Sequence, residues 1–194
     1  MSKILAFAGS SRKHSFNKKL VKIAASGAKN SGAEITFVDL ADYPMPIFNQ
    51  DLESEQGMPD KAREFKNMLI QHDAFLIASP EYNSAFSPLL KNVIDWASRA
   101  ESEDETPLVA YKGKIAAIMA TSPGALGGIR GLVFLRMLLS NIGVTVIPDQ
   151  IAIPQAIKAF SDDGLLIDSK QQQLVLDLGR KLSHIADLLN TGNQ

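Results

Sequence analysis

The chain has 194 residues, 45% of them hydrophobic and 21% charged, with a formal net charge of −1: enough length for one domain with a buried core, and no bulk charge to draw nucleic acid or an anionic membrane. It contains no cysteine, which excludes disulfides, thiolate nucleophiles and Cys-bound metal, and its histidines (His14, His72, His184) are too scattered to suggest a His-ligated metal. No apolar run approaches the ~20 residues that cross a bilayer.

From Met1 the chain runs into a strand pattern without a cleavable signal, so a cytoplasmic protein with no membrane span is expected. Ile4–Ala8 is an apolar run ending in Gly9-Ser10. Ser15–Asn30 places Leu20, Val21, Ile23 and Ala24 on a helical period and stops at Ser31-Gly32. Glu34–Leu40 reads as a second strand, and Lys61–Gln71 as a helix with Phe65, Met68 and Leu69 on one face. The unbroken apolar run Ala74–Ala78 is a strand buried on both faces.

Ser87 as N-cap and Pro88 at the first helical position open a helix striped by Leu89, Leu90, Val93, Ile94 and Ala97. Strand Ile115–Ala120, helix Ile129–Asn141 closed by Gly143, strand Val144–Ile147 and the amphipathic helix Lys170–Leu189 complete the pattern. Strands alternating with helices predict an α/β fold, a three-layer doubly wound five-stranded parallel sheet, as one domain over the whole chain. Two connections are long. Ala41–Asp60, rich in Pro, is expected to be neither helix nor strand, and Glu101–Gly113 opens with Glu101, Glu103, Asp104 and Glu105, expected to be a solvated face. Trp96, inside its helix, is expected in the core or at an interface.

Three loops follow strands at what would be the carboxyl edge of such a sheet, where open α/β folds bind ligands. Gly9–Asn17 leads into a helix N-terminus that offers free N–H groups to an anion. Ser10, Ser15 and Asn17 add neutral side-chain donors, and Arg12 a charge-assisted one. Arg12, Lys13, Lys18 and Lys19 oppose the helix dipole there, a penalty that a phosphate would reverse. A Walker loop fits worse because His14 stands where its second glycine belongs, and so does a dinucleotide fingerprint because Gly9 is alone until Gly27. Asp39 then reads as a turn residue rather than a ribose ligand.

Pro80-Glu81-Tyr82-Asn83-Ser84 offers polar groups to border a flat ring, and Gly124, Gly127 and Gly128 after Ser122 let backbone approach one closely. A phosphate loop beside two ring-bordering loops points to flavin mononucleotide (FMN). An electron-transfer or redox-sensing FMN protein, or a ligand-free interaction module on the same scaffold, stays open beside an enzyme on these grounds. Arg12 and the near-neutral charge weigh against the first, and retention of all three loops against the second.

Taken together, Gly9-Ser10-Ser11-Arg12-x-x-Ser15-x-Asn17, Pro80-Glu81-Tyr82-Asn83-Ser84 leading into Leu90-Lys91-Asn92-x-Ile94-Asp95-Trp96, and the Gly-rich turn resemble the NADPH-dependent FMN reductase family. The resemblance runs from Lys3 to about Pro148. It implies a flavodoxin-like fold and tightly bound FMN, with Ser10, Arg12, Ser15 and Asn17 on the phosphate. Pro80, Glu81, Tyr82, Asn83 and Ser84 would border the ring, and Ser122, Gly124, Gly127 and Gly128 would meet its pyrimidine end. It implies hydride transfer from NADPH or NADH to flavin N5, then reduction of a quinone, free flavin or other small electron acceptor, with no acid–base or nucleophilic side chain. A homodimer or homotetramer is expected, with the C-terminal helix and the 86–97 face as contact surfaces.

Overall fold

The computed structural model describes residues 1–191. Five strands, β1 (Lys3–Ala8), β2 (Glu34–Val38), β3 (Ala74–Ala78), β4 (Ile115–Thr121) and β5 (Thr145–Ile153), form one sheet in the order β2-β1-β3-β4-β5. Every pair is parallel. The helices are α1 (Phe16–Lys29), α2 (Gln50–Gln56), α3 (Asp60–Gln71), α4 (Pro88–Ala97), α5 (Ile129–Asn141), α6 (Ala156–Ala159) and α7 (Ser169–Thr191).

The period of two along each strand divides the core into two layers. Ile4, Ala6, Leu76, Ala117 and Met119 pack with α1 and α7 on one face. Leu5, Phe7, Phe75, Ile77, Ala116 and Ile118 pack with α3, α4 and α5 on the other. Parallel strands covered on both faces read as apolar runs, and Ile4–Ala8, Ala74–Ala78 and Ile115–Ala120 are such runs. On the first face α1 and α7 cross at backbone contact. A Cβ on Gly27 would lie 2.0 Å from the Leu176 carbonyl oxygen, and one on Gly179 would lie 1.8 Å from that of Ala24.

Strand order reverses between β1 and β3, which opens a crevice at their carboxyl ends. The loops after β1, β3 and β4 meet there.

Four expectations need correction. The second strand stops at Val38, because Asp39 accepts the Ala41 N–H and starts a short 3-10 turn over Leu40–Asp42. The 41–60 connection holds a helix after all, α2, capped by Asn49 and ended by Gly57 at φ +73°. It buries no residue, so it shows no apolar period to read. The fifth strand continues past Pro148 to Ile153 through an irregularity in its register with β4. There the Arg136 guanidinium donates to the carbonyls of Val146, Ile147 and Pro148. Finally, half of the acidic cluster is structural rather than solvated: Glu101 and Glu105 pair with the buried Lys66, and Glu101 also with Arg63.

Trp96 is fully buried. Its indole, with Asn92, holds the 46–48 segment to α4.

Candidate functional site

The first loop leaves the sheet at Gly9, whose N–H is taken by the Ala78 carbonyl at 2.8 Å. Ser15 is the N-cap of α1, its hydroxyl accepting the Lys18 N–H. Among the described residues, the backbone N–H groups of Ser11, Lys13, His14, Ser15, Phe16 and Asn17 meet no acceptor within the chain. Ser15 and Asn17 are nonetheless buried. Ser11, Lys13 and His14 are exposed, so the run joins solvent-facing N–H groups to the two buried ones, and free donors of this kind at a helix N-terminus suit an anion. The exposed Arg12 guanidinium stands at this loop and has no acidic partner among the described residues.

Two of the neighbouring lysines have other partners, while Lys13 is exposed and does not line the cleft. Lys18 pairs with Asp39 at 2.6 Å, tying α1 to the end of β2. Lys19 reaches the Ser161 carbonyl and lies over the Phe16 ring. Among the described residues that line the cleft, Arg12 is the cation.

The second loop is a two-residue hairpin. Tyr82 and Ala85 exchange both backbone hydrogen bonds, with Asn83 at φ +50° and Ser84 at φ +70°. Positive φ at both central residues is the type I′ turn, tolerable for Asn and strained for Ser. Tyr82 stands half-exposed beside it. Glu81 is turned away from the hairpin tip, its carboxylate accepting the backbone N–H groups of Arg130 and Gly131.

In the third loop, Gly127 (φ +63°) and Gly128 (φ +91°) make the turn into α5 while pressed onto the sheet. A Cβ on Gly127 would meet the Ile153 carbonyl carbon at 2.7 Å, and one on Gly128 the Ala120 Cβ at 2.8 Å. Gly124 is open toward solvent. The β5–α6 connection braces this loop: Ala156 N–H donates to the Ser122 carbonyl and Gln155 N–H to that of Gly124.

These loops enclose a cleft of about 120 Å³ lined by Ser10, Arg12, Phe16, Asn17, Pro80, Glu81, Tyr82, Thr121, Ser122 and Pro123. Of the expected site residues, Ser10, Arg12, Asn17, Pro80, Glu81, Tyr82 and Ser122 come together there. Ser15 supports from behind, Asn83 and Ser84 form the hairpin tip, and Gly124, Gly127 and Gly128 belong to the loop beside it. Phe16, Thr121 and Pro123 were not foreseen. Thr121 had a signal in the sequence, a polar residue closing an apolar strand.

The model of the NADPH-dependent FMN reductase family fits residues 2–158. The chain belongs to that family. Among FMN reductase relatives, an NAD(P)H-dependent FMN reductase of Pseudomonas aeruginosa is 33% identical over 174 residues, 89% of each chain. An NAD(P)H:quinone oxidoreductase of Solanum tuberosum is 36% identical over 180 residues, covering 88% of this chain and 86% of that one. In structure, FerB, a flavoenzyme NAD(P)H:(acceptor) oxidoreductase from Paracoccus denitrificans, superposes with a TM-score of 0.78 at 28% identity, over 96% of this chain and 98% of that one. An archaeal flavodoxin shares the fold at a TM-score of 0.63 and 13% identity. The strand order here is the flavodoxin-like one.

Proposed function

We propose that this FMN reductase family member oxidises NADH or NADPH and reduces a quinone, a free flavin or another small acceptor through FMN held in the 9–17, 80–84 and 122–128 loops. The observation that carries the placement is the cradle: among the described residues, six backbone N–H groups without acceptors stand beside an exposed Arg12 without an acidic partner. That donor set fits a phosphate monoester, since it joins helix-terminal N–H groups to a charge-assisted donor.

Ser10, Arg12, Ser15 and the Asn17 backbone hold the phosphate. Pro80 to Ser84 border the ring on one side; Ser122, Gly124, Gly127 and Gly128 border it on the other. The enclosed space is smaller than the ≈ 300–1,000 Å³ of a closed ligand pocket. The cleft alone does not enclose a flavin ring, so the rim loops would border it, and a nicotinamide and afterwards an acceptor would reach it from the solvent side. The chemistry supplied there is hydride acceptance from the nicotinamide and electron donation to the acceptor. The protein's part is binding, orientation and the local field. Quinones and flavins are the acceptors favoured, because the relatives named above are quinone and flavin reductases.

Among the described residues no helix is long and apolar enough to cross a membrane. We assign the enzyme to the cytoplasm, where reduced nicotinamide is available. Self-association we assign to α5 rather than to α4. Beyond its buried face, α5 exposes Ile129, Val133, Phe134 and Met137, with Leu126 just before it. An apolar helix face left uncovered next to a site marks a contact surface.

The test is an absorbance spectrum of the protein loaded with FMN, followed by anaerobic addition of NADH and then NADPH. Flavin bands that bleach within seconds, and return on adding a quinone, support the proposal. Bands that persist would indicate an electron carrier, and failure to take up FMN would remove the cofactor site.

A further inference from the structure

The side chain of Asn17 points to a role that an FMN-binding residue need not have. Its Nδ2 donates to the Thr121 carbonyl at 3.0 Å, and its Oδ1 accepts the Thr121 N–H at 3.0 Å, across 104 residues of sequence. The residue is 4% exposed. We propose that Asn17 is a positioning residue: it acts on the site through Thr121 and leaves only its backbone N–H to an anion. This inference rests on the FMN reading above.

The need for it follows from the sheet. β3 ends at Ala78, and the last hydrogen bond from its side takes Ser79 N–H to the Met119 carbonyl. β4 runs on to Thr121. On its other side Thr121 is served by β5, its Oγ1 donating to the Ile153 carbonyl at 2.8 Å. Its backbone N–H and C=O face the place where a further residue of β3 would stand. The Asn17 amide has the donor and acceptor of a peptide group and fills that place, so neither buried backbone group is left unpaired.

The bond joins two of the three loops into one body. Asn17 is the second residue of α1, within the anion cradle, and Thr121 immediately precedes Ser122, at the ring end. Loops fixed relative to each other before a ligand arrives bind it with less ordering cost. An Asn17 that touched phosphate would affect phosphate binding alone. An Asn17 that sets the spacing between the loops affects every ligand that spans them.

The experiment compares FMN with riboflavin, which has no phosphate, on the wild type, Asn17→Leu and Arg12→Ala, at a temperature where all three remain folded. Amide exchange at Thr121 is followed in the same proteins without flavin. Asn17→Leu should weaken FMN and riboflavin by a similar factor, on the order of tenfold, and speed Thr121 exchange at least tenfold while Leu76 stays protected. Arg12→Ala should weaken FMN alone.

Loss of FMN affinity with riboflavin unchanged would overturn the proposal and make Asn17 a phosphate ligand. So would a lowered melting temperature with both affinities intact, which is what a merely structural residue gives. Unaltered Thr121 exchange would also sink it. If the wild type binds neither flavin, the FMN reading fails by itself, and the exchange rates still decide the bond between the loops. Should Asn17→Leu not fold, Asn17→Ser, whose hydroxyl is too short to replace the amide, carries the same expectations.

Discussion

Glu81 and Arg130 are joined at two levels: the Glu81 carboxylate accepts the Arg130 backbone N–H at 3.1 Å and also its guanidinium Nε at 2.8 Å. The N-cap of α5 is Gly128, which has no side chain to cap the helix, and Glu81 supplies the missing acceptor for the N–H groups of Arg130 and Gly131. The hairpin loop and the start of α5 are thereby fixed together.

The two partners should respond unequally to substitution. The Glu81 side chain is 7% exposed and that of Arg130 is 58% exposed. Arg130→Ala removes an exposed guanidinium but leaves the Glu81 carboxylate bonded to two backbone N–H groups, and should cost under about 1 kcal/mol. Glu81→Ala uncaps a helix and removes a negative charge from its positive end, and should cost about 2 kcal/mol. Paired urea unfolding curves measure both, and equal costs would contradict this assignment.

Trp96 and Pro46 give a second expectation. The Pro46 carbonyl receives the Trp96 indole N–H at 2.8 Å and the Asn92 amide at 2.9 Å, while Asn92 Oδ1 takes the Phe48 N–H at 2.8 Å. Phe48 also meets the indole edge-on, with ring centroids 5.0 Å apart. Ile47 is thus presented, 84% exposed, on a segment pinned on both sides. Trp96→Phe should lose about 2 kcal/mol in a denaturant titration, from a missing hydrogen bond and a cavity. It should also raise amide exchange at Phe48 above that of the sheet. If Phe48 exchange is unchanged, Asn92 alone holds the segment.

The unequal legibility of this chain has a physical basis in these contacts. β1, β3 and β4 could be read directly, because strands buried on both faces show unbroken apolar runs. β5 could be read only as far as Ile147, since Pro148-Asp149 looks like a stop and its continuation depends on Arg136 in another element. The three loops were recognisable by residue type. Whether a polar side chain in them faces a ligand or the protein was not: Asn17 and Glu81 take partners 104 and 49 residues away. The same holds for Glu105, whose partner Lys66 lies in the middle of α3.

Lys66 and Glu105 predict a pH dependence. The Lys66 ammonium is buried and donates to the Arg99 carbonyl at 2.8 Å, with Glu105 in direct contact and Glu101 at 3.5 Å. Burial by itself pushes the Glu105 carboxyl up. The Lys66 hydrogen bond, the Glu101 backbone N–H and the Lys66 charge outweigh it and bring it below its ordinary value. A carboxyl that is lowered in the folded state stabilises the fold above its unfolded pKa, and that contribution is lost as pH falls through the folded one. Glu105→Gln should therefore be less stable than wild type by about 1–2 kcal/mol at pH 7. The gap should stay constant down to about pH 5 and close in more acidic solution. Melting temperatures of the two proteins across that range test it, and a gap that widens in acid would reverse the assigned sign.

The apolar face of α5 predicts how copies of the chain meet. Val133 and Met137 are one helical turn apart and exposed to 62% and 61%, while Leu132, Leu135 and Leu139 fill the core from the other side of the same helix. Charges at Val133 and Met137 therefore leave the monomer's packing intact and act where α5 meets solvent or another copy. Burying an unpaired carboxylate in an apolar contact costs several kcal/mol, more than enough to shift a micromolar dimer to monomer. Met137→Glu should sediment as a smaller species than wild type at equal concentration, with an unfolding free energy in dilute protein within about 0.5 kcal/mol of the wild-type monomer. A variant that keeps the wild-type sedimentation coefficient, with the wild type larger than a monomer, would move the contact to another face.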